Sequence, residues 1–239
     1  MQVSGKLAVV TGGTDGIGLQ IARQLKAKGA SVIVCGRRSE QLENARKEGM
    51  EAIAADLSNA AGCAEFVKAL TGRPIDILIN NAGMSGNFGP EEPLDLDLTD
   101  RSIFLNLNAP MHVIGSLLPS LRARPEAAIV NVTSGLAIAP RAGGPVYCAT
   151  KAGLRSFTQS LRYNLKGSNV HVIDAMPPVV DTAMTAGRSG GKMSAPECAR
   201  QIVAGIESNK ADVNVGIVKV LQIVHSISPR LARAVMIRF

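Results

Sequence analysis

Short apolar runs alternate with longer mixed stretches along most of the chain. Six of these runs have the length and composition of buried strands, and the first is residues 7–10, Leu-Ala-Val-Val. The others are residues 31–35, 52–55, 75–79, 128–132 and 170–175. Strands that are apolar throughout, without polar alternation, are typical of a parallel sheet covered on both faces.

Helical patterns fill the segments between these strands. In the first, Ile17, Ile21 and Leu25 form one apolar stripe, and Gly29 is a typical helix-ending glycine. Further helices are predicted at residues 39–48, 99–121 and 146–166. The alternation predicts an α/β fold: a single doubly wound Rossmann-type domain over residues 1–239, with a parallel seven-stranded sheet and helices on both faces.

The last third of the chain departs from this simple alternation. Residues 181–192 are rich in Gly, Ser and Thr and are interpreted as a lid over the substrate, so residues 183–210 comprise the lid and the helix after it. Ser194 and Glu197 are expected to form a capping box for that helix, which extends to about residue 207. Residues 213–216 are predicted as the seventh strand.

The C-terminal segment, residues 217–239, is basic and apolar and contains no carboxylate side chain. The simpler interpretation is two short helices that pack on the domain or across a dimer. The alternative is a basic amphipathic surface that touches an anionic membrane or gates a lipophilic substrate.

Composition supports one large domain. Of the 239 residues, 46% are apolar and 19% are charged, with no Trp, so Ala, Val, Ile and Leu must build the core. The net charge of +7 is not concentrated in a long basic run, which argues against a nucleic-acid partner and leaves an anionic cofactor or substrate. We expect no signal peptide and no membrane-spanning segment. The scattered cysteines indicate a cytoplasmic protein without a disulfide framework, and the spacing of the histidines indicates no metal site.

The residues with chemical potential follow the ends of predicted strands. Gly12, Asp56, Asn80, Ser134 and Pro177 each come just after an apolar run. Because the carboxyl ends of parallel strands share one edge of the sheet, and ligands bind at that edge in open α/β sheets, we expect one site to contain all five.

Tyr147 and Lys151 form the most informative pair. They are four residues apart in a predicted helix, so their side chains share one face. A nearby ammonium stabilises a phenolate and lowers its pKa, and a serine such as Ser134 can hold a carbonyl or hydroxyl oxygen beside it. This set could exchange a proton with an alcohol or a carbonyl. A surface tyrosine with a lysine one turn away is the alternative for the pair alone.

A glycine-rich turn lies between the first strand and the first helix. Gly12, Gly16 and Gly18 would let the backbone approach a pyrophosphate at the helix N-terminus. A tight turn that binds no ligand is the alternative.

These motifs, in this order, resemble the short-chain dehydrogenase/reductase family of the compact one-domain type. The resemblance runs from about residue 4 to residue 185, and it is carried by TGxxxGxG from Thr11, Asn80-Asn81-Ala82-Gly83, Ser134 thirteen residues before Tyr147-x-x-x-Lys151, and the proline motif after the sixth strand. It implies an oxidoreductase that interconverts a carbonyl and an alcohol by hydride transfer with a nicotinamide cofactor.

The resemblance also implies the role of each catalytic residue. Ser134 would orient the substrate oxygen, Tyr147 would be the acid–base group, and Lys151 would bind the nicotinamide ribose and lower the Tyr147 pKa. Asn106 would kink its helix and carry a water in the proton relay, with Asn108 as its nearest rival. The implied cofactor-binding residues are Thr11, Gly12, Gly16, Ile17, Gly18, Asp56, Leu57, Asn80, Ala82, Gly83, Tyr147, Lys151, Pro177, Val180 and Thr182.

The choice between NADP and NAD depends on the end of the second strand. A carboxylate there would bind the ribose 2′-hydroxyl and repel a 2′-phosphate, but this chain has Arg37 and Arg38. Because a guanidinium pairs with phosphate bidentately, NADP(H) is predicted over NAD(H). Solvated arginines are the alternative, and Asp15 stands where many NADP-preferring relatives have a basic residue.

Two features separate this chain from the usual pattern near the substrate. Pro178 replaces the glycine that normally follows Pro177, so the loop would approach the nicotinamide differently, while Val180 and Thr182 keep the positions that contact its carboxamide. Residues 84–93 and 136–144 would form the other walls of the substrate pocket, with Met84, Leu136 and Ile138 making it apolar. Arg141 would meet an anionic substrate group or, more simply, be solvated.

The predicted function is therefore an NADP(H)-dependent oxidoreductase acting on a small carbonyl or alcohol with an apolar portion. A homodimer or homotetramer is what the resemblance implies. The alternative function is a non-catalytic NADP-binding redox sensor or scaffold, with or without contact to a membrane surface.

Overall fold

The computed structural model describes residues 1–85 and 94–238. Its strands are β1 Leu7–Thr11, β2 Ser31–Gly36, β3 Glu51–Ala54, β4 Ile77–Asn80, β5 Ala127–Val132, β6 Val170–Met176, β7 Val180–Asp181, β8 Met193–Ser194 and β9 Asp212–Asn214. Its α-helices are α1 Gly16–Ala27, α2 Ser39–Lys47, α3 Ala60–Ala69, α4 Leu96–Ile103, α5 Ala109–Arg122, α6 Pro145–Asn164, α7 Ala195–Glu207, α8 Val218–Ile227 and α9 Pro229–Met236.

Seven strands form one parallel sheet in the order β3-β2-β1-β4-β5-β6-β9, and β7 pairs with β8 beside it. The predicted seven-stranded doubly wound sheet is confirmed. From β1 the chain builds the sheet outwards through β2 to β3, and it then returns to place β4 on the other side of β1. At such a reversal the connections that follow the two central strands run in opposite directions and leave a crevice outside the strands' carboxyl ends, which is where a ligand site is expected.

The sheet is buried on both faces, as its continuous apolar strands require. In β1, Ala8 and Val10 point to one face and Val9 to the other, and all three are inaccessible to solvent. Side chains of α1, α2 and α7 cover the first face, and those of α3, α5 and α6 cover the second. The core therefore holds the strand ends, and with them the site residues, in fixed positions.

The helix predicted at residues 99–121 begins earlier, at Leu96, and is not a single α-helix. It consists of α4, a π-helical segment at Phe104–Asn108 and α5. A π-helical turn holds one extra residue relative to an α-helical turn and often marks a functional position. Asn106, where the resemblance implies a kink, lies within this turn.

The sequence reasoning missed α3. The Asn59 side chain accepts a hydrogen bond from the Gly62 amide and so caps this helix, and Cys63 and Phe66 bury its inner face. The cap residue and the apolar spacing were signals in the sequence. The helix is only ten residues long, and its mixed composition hid the pattern.

The predicted capping box of α7 is only half formed. Ser194 accepts a hydrogen bond from the Glu197 amide, as expected for the N-cap. The Glu197 carboxylate instead accepts hydrogen bonds from Arg200 and Gln201. A guanidinium one turn away is a stronger partner for the carboxylate than the N-cap amide.

The C-terminal segment packs on the edge of the domain that carries the site. Val218 of α8 is buried against Gly135, and the Ala142 amide donates to the carbonyl of Ile237, just beyond α9. Several of its apolar side chains face solvent, among them Ile223 and Ile227. None of the helices in the described part of the chain has the length and apolarity needed to cross a bilayer.

Candidate active site

A cleft of about 650 Å³ opens at the carboxyl ends of the central strands. Thirteen of the predicted site residues line it: Gly12, Gly16, Ile17, Arg37, Arg38, Asp56, Leu57, Ala82, Gly83, Tyr147, Lys151, Pro177 and Thr182. Of the five strand-end residues expected to share one site, Gly12, Asp56 and Pro177 line the cleft, whereas Asn80 and Ser134 do not.

The glycine turn is too crowded for larger residues. Gly12 has a φ of 61°, and a Cβ there would lie 2.8 Å from the Cα of Ala82. A Cβ at Gly18 would lie 2.3 Å from Nδ2 of Asn81, so Gly18 permits close packing and does not itself line the cleft. These glycines bring the turn against the segment after β4 and leave the N-terminus of α1 facing the cleft. A backbone cradle of this kind fits a pyrophosphate.

Two side chains lock this turn, and the sequence reasoning identified only one. The Thr11 hydroxyl accepts hydrogen bonds from the amides of Asn81 and Ala82, at 3.0 and 3.1 Å. The Asn81 amide group donates back to the carbonyls of Thr11 and Gly12. Asn81 was part of the quoted Asn-Asn-Ala-Gly motif but was assigned no role. Thr11 acts beneath the cleft without lining it.

Asn80 and Val180 do not line the cleft. The Asn80 side chain points into the core and donates to Asn131, which in turn donates to Thr158. Asn80 therefore links β4 to β5 and α6. Val180 is buried next to the lid. Neither side chain is placed to contact a ligand in the cleft.

The two arginines after β2 stand at the mouth of the cleft and are partly exposed. Arg38 pairs with Asp15 at 2.7 Å, while Arg37 lies 3.8 Å from Asp56. Asp15 also accepts a hydrogen bond from the Gly16 amide and so caps α1. Arg38 is thus held in a close ion pair with Asp15, whereas Arg37 has only the longer contact with Asp56.

Tyr147 lines the cleft, whereas the catalytic candidate Ser134 is buried and does not line it. Burial raises the pKa of Tyr147 to about 12, and the positive charge of Arg188, the nearby Ser134 hydroxyl and the charge of Arg141 oppose this rise only in part. The predicted net lowering by Lys151 is therefore wrong in this arrangement, because burial is the larger effect. A phenol with a raised pKa carries its proton at neutral pH.

Lys151 lies beneath Tyr147, with its Nζ 5.6 Å from the centroid of the tyrosine ring. It is buried, and Nζ donates to the carbonyl of Val132 at 2.8 Å. Burial lowers the pKa of Lys151 to about 8, opposed by the carboxylate of Asp174. The lysine can therefore lose or gain a proton close to neutral pH.

Asn106 lies behind Lys151 and is fully buried. It clamps Met84 in both directions, since its Nδ2 donates to the Met84 carbonyl and its Oδ1 accepts from the Met84 amide. A Cβ on Gly83 would lie 3.1 Å from Oδ1 of Asn106 and 3.6 Å from Nζ of Lys151. Both groups therefore face Gly83. Asn106 holds the loop at Met84, and the alternative candidate, Asn108, makes no such contact in the described structure.

The segment interpreted as a lid borders the cleft. Thr182 begins a short 3-10 turn, Ala183–Thr185, and packs close to Gly16, while Met184 lines the cleft. The predicted wall at residues 84–93 lies mostly outside the described residues, which end at 85 and resume at 94. Met84 itself packs on the core and does not line the cleft, contrary to expectation.

The loop after β6 is tied to the residue that follows Ser134. The Gly135 amide donates to the carbonyl of Pro177 at 3.0 Å. Pro177 lines the cleft and Pro178 lies beside Gly216. The loop therefore keeps its contact with the site despite the second proline. In residues 1–85 and 94–238 no cluster of three His, Cys, Asp or Glu side chains could hold a metal ion.

Comparison with known proteins identifies the family. The family model described as short chain dehydrogenase matches residues 6–192. The chain is 36% identical over 229 residues to the uncharacterized oxidoreductase DltE of Bacillus subtilis (strain 168), covering 89% of each protein. It is 35% identical over 179 residues to the NADP-dependent 3-hydroxy acid dehydrogenase YdfG of Salmonella typhi, covering 73% of this chain and 72% of the relative.

The fold matches solved structures of the same kind. A short chain dehydrogenase from Burkholderia cenocepacia J2315, crystallised with NADP, superposes with a TM-score of 0.89 and covers 99% of both chains at 24% identity. This match concerns the fold alone. Together with the family model and the relatives, it shows that the chain belongs to the short-chain dehydrogenase/reductase family, whose enzymes interconvert alcohols and carbonyls with a nicotinamide cofactor.

Proposed function

We propose that this chain is an NADP(H)-dependent oxidoreductase in which Tyr147, Lys151, Ser134 and Asn106 form a proton relay for carbonyl–alcohol interconversion. One observation carries the proposal. Tyr147 and Lys151 line the same cleft as the glycine turn, and the buried Ser134 hydroxyl is close enough to Tyr147 to oppose the rise in its pKa. A proton donor therefore stands at one end of a cleft whose other end is suited to a nucleotide.

The cleft has a fitting group for each part of the cofactor. Gly12, Gly16 and the first amides of α1 suit the pyrophosphate, and Arg37 and Arg38 suit a 2′-phosphate. Asp56 and Leu57 would contact the adenine, and Pro177 and Thr182 the nicotinamide end. The relative YdfG is named as NADP-dependent, which favours the same cofactor here. When bound, the cofactor supplies or accepts the hydride.

The proton would come from Tyr147. Its raised pKa keeps the phenol protonated at neutral pH, as an acid requires when a carbonyl is reduced. Ser134 would hold the substrate oxygen beside it. Lys151, with a pKa of about 8, would return a proton to Tyr147, and Asn106 would connect the lysine to solvent through a water. In the oxidising direction the same groups would act in reverse order.

The substrate would be a small carbonyl or alcohol that fits under the lid. The relative YdfG is named for 3-hydroxy acids, so 3-oxo acids belong in a panel of test substrates together with aldehydes, neutral ketones and quinones. Met184 and Ala183 give the lid side of the cleft an apolar contact for such molecules.

Replacing Tyr147 tests the proposal directly. We expect Tyr147→Phe to lose nearly all turnover, by about 100-fold or more, because it removes the proton donor, while NADPH still binds. The matched control is Tyr163→Phe, since Tyr163 lies on the same helix and is 78% exposed. NADPH oxidation by the two variants and the wild type would be followed across the panel.

Retained turnover in Tyr147→Phe would refute the assigned acid. NADPH binding by the wild type without turnover of any carbonyl would favour a non-catalytic redox sensor.

We further propose that the protein is cytoplasmic and forms a homodimer or homotetramer. The scattered, buried cysteines support a reducing compartment. The exposed apolar side chains of α8 and α9 are consistent with an additional protein contact, and light scattering of the purified chain would give the subunit number.

A further inference from the structure

One wall of the cleft is a short turn at residues 182–185, which we call the wall turn. Its first three residues, Thr182, Ala183 and Met184, line the cleft. Thr182 also packs against the glycine turn, because a Cβ added to Gly16 would lie 3.2 Å from the Cγ2 atom of Thr182. The position of the wall turn therefore determines how closely Met184 and Thr182 approach a molecule bound at the N-terminus of α1.

The wall turn is closed by hydrogen bonds that meet at Thr185, a buried residue. The Thr185 amide donates to the Thr182 carbonyl at 3.0 Å, and the Thr185 hydroxyl donates to the Val180 carbonyl at 2.5 Å. The Thr182 amide in turn donates to the Thr185 hydroxyl at 3.3 Å. These bonds shape the turn and attach it to β7, and they leave the Thr185 carbonyl to partners later in the chain.

Lys192 supplies a charged partner for that carbonyl. Its Nζ donates to the Thr185 carbonyl at 2.6 Å and lies 3.6 Å from the carboxylate of Asp181. The Lys192 side chain is 16% exposed, whereas that of Asp181 is 70% exposed. A hydrogen bond from an ammonium is stronger than a neutral one, while an ion pair open to water contributes little. The bond to the Thr185 carbonyl is therefore the stronger of the two contacts.

The loop between the wall turn and Lys192 gives the turn little support. It contains Gly187, Gly190 and Gly191, and no atom of the described residues beyond their chain neighbours lies within 4 Å of a Cβ added at any of the three. Lys192 itself directly precedes β8, where Met193 pairs with Val180. The backbone of the lysine is thus fixed by the pairing of β7 with β8, and its side chain reaches back from there to the wall turn.

We propose that Lys192 is a positioning residue for the proposed reaction: its ammonium holds the wall turn at the cleft, where Met184 meets the carbonyl substrate and Thr182 meets the nicotinamide end of the cofactor. The inference rests on the proposed function and adds to it a residue that does not itself line the cleft. Because a wall that is already in place loses less conformational freedom when the substrate binds, removing the ammonium should weaken binding more than it slows the chemical step.

The kinetics of three lysine variants test this role. Lys192→Met removes the charge and keeps an apolar stem, and Lys192→Arg keeps the charge. Lys210→Met is the control, because Lys210 is an exposed lysine that follows α7 and does not line the cleft. With NADPH and the carbonyl of the panel that the wild type reduces fastest, we expect Lys192→Met to raise KM by about 10-fold or more and to change kcat by less than about 3-fold. Lys192→Arg should restore most of the affinity, and Lys210→Met should match the wild type.

Asp181→Asn separates the two contacts of the ammonium. Since the Asp181 carboxylate is largely exposed, its removal should change KM by less than about 3-fold. A rise in KM as large as that in Lys192→Met would overturn the assignment of the Thr185 carbonyl as the group through which Lys192 acts.

The second test observes the wall turn without turnover. Hydrogen–deuterium exchange of the protein without cofactor, followed by mass spectrometry, reports on the amides of Thr182, Thr185 and Arg188, and the Arg188 amide also donates to the Thr185 carbonyl. We expect exchange at these amides to be about 10-fold faster or more in Lys192→Met and close to the wild-type rate in Lys192→Arg. Unchanged exchange in β5 would show that the fold of the variant is intact.

The outcomes separate this inference from the proposed function. A wild-type KM in Lys192→Met would refute the positioning role even if exchange were faster, and so would a KM raised equally in Lys192→Arg. If the wild type reduces no carbonyl of the panel, the proposed function fails. Faster exchange in Lys192→Met, restored in Lys192→Arg, would then still support the hold on the wall turn, and unchanged exchange would refute it. If carbonyls are reduced in a reaction that needs Tyr147, and Lys192→Met behaves as the wild type in both tests, the proposed function stands and this inference is wrong.

Discussion

At the residue scale, the contacts of Asp15, Arg37 and Arg38 determine which arginine is available for a 2′-phosphate. This availability would decide the preference between NADP and NAD. Asp15 caps α1 and also holds Arg38 at 2.7 Å, so a 2′-phosphate would have to compete with a carboxylate for that arginine. Arg37 has only the longer contact to Asp56, at 3.8 Å. Asp15 therefore engages Arg38 and leaves Arg37 available for a 2′-phosphate.

Arg37→Ala should accordingly weaken NADPH binding much more than NADH binding. A charge-assisted hydrogen bond contributes about 1.5–3 kcal/mol, which corresponds to a loss of about 10- to 100-fold for NADPH and little change for NADH. Arg38→Ala, the matched variant, should have a smaller effect because its guanidinium is already paired. Fluorescence titration of both cofactors gives the four dissociation constants. Equal losses for NADPH and NADH would contradict the assignment of the 2′-phosphate to Arg37.

The sequence predicted which residues share the cleft better than it predicted their electrostatics. Tyr147 and Lys151 were singled out because they are four residues apart on a predicted helix and follow the other motifs of the resemblance in order. The direction of the Tyr147 pKa could not be found, because it depends on how much of the phenol is buried and on Arg188 from a distant loop. Asn80 was predicted to bind the cofactor, but its side chain points into the core. The apolar pattern locates the end of the strand and does not tell to which face the side chain turns.

At the element scale, the C-terminal helices act as a support for the serine loop. Val218 at the start of α8 is buried against Gly135, the residue after Ser134. Further along α8, Arg155 of α6 donates to Gln222. The helices thus brace the loop and helix that carry Ser134 and Tyr147. The amino-acid pattern predicted two short helices here, but their partner on the domain is a tertiary contact that local sequence does not encode.

Val218→Ala should therefore destabilise the domain, whereas Val220→Ala should not. The first substitution removes two buried methyl groups next to Gly135 and should lower the free energy of unfolding by about 1–3 kcal/mol. Val220 lies on the same helix but is 51% exposed, so its truncation should change that free energy by less than about 0.5 kcal/mol. Urea unfolding of the two variants measures the difference. Similar values for both would mean that α8 does not brace the loop.

Element boundaries were predicted well where the apolar pattern was long and poorly where it was short or interrupted. The central strands were located to within a few residues because both faces of the sheet are buried. Helix α3 escaped detection, and the π-helical turn at Phe104–Asn108 could not be derived from periodicity, because one extra residue in a single turn barely changes the apolar spacing.

At the scale of the whole molecule, the two-sided core makes a buried charge costly, and Asp174 is the clearest case. It lies in β6 with no exposure to solvent. The Thr133 hydroxyl donates to one carboxylate oxygen, while the other lies 3.9 Å from Nε of Arg155 without a hydrogen bond among the described residues. These partners offset burial only in part, and the pKa of Asp174 is raised from 3.8 to about 6.

This pKa shift predicts how the stability of the domain responds to pH. Between about pH 4 and pH 6 the folded protein keeps a proton that the unfolded chain has lost, so the contribution of Asp174 to stability is largest below pH 4 and declines as the pH rises through this window. Asp174→Asn removes the decline. The free energy of unfolding of the variant, relative to that of the wild type, should therefore increase from pH 4.5 to pH 7, by about 2 kcal/mol. Urea unfolding at the two pH values measures this change, with the exposed Asp97→Asn as the control for removing a carboxylate. If the stability of Asp174→Asn relative to the wild type changed with pH no more than that of Asp97→Asn, the raised pKa of Asp174 would be contradicted.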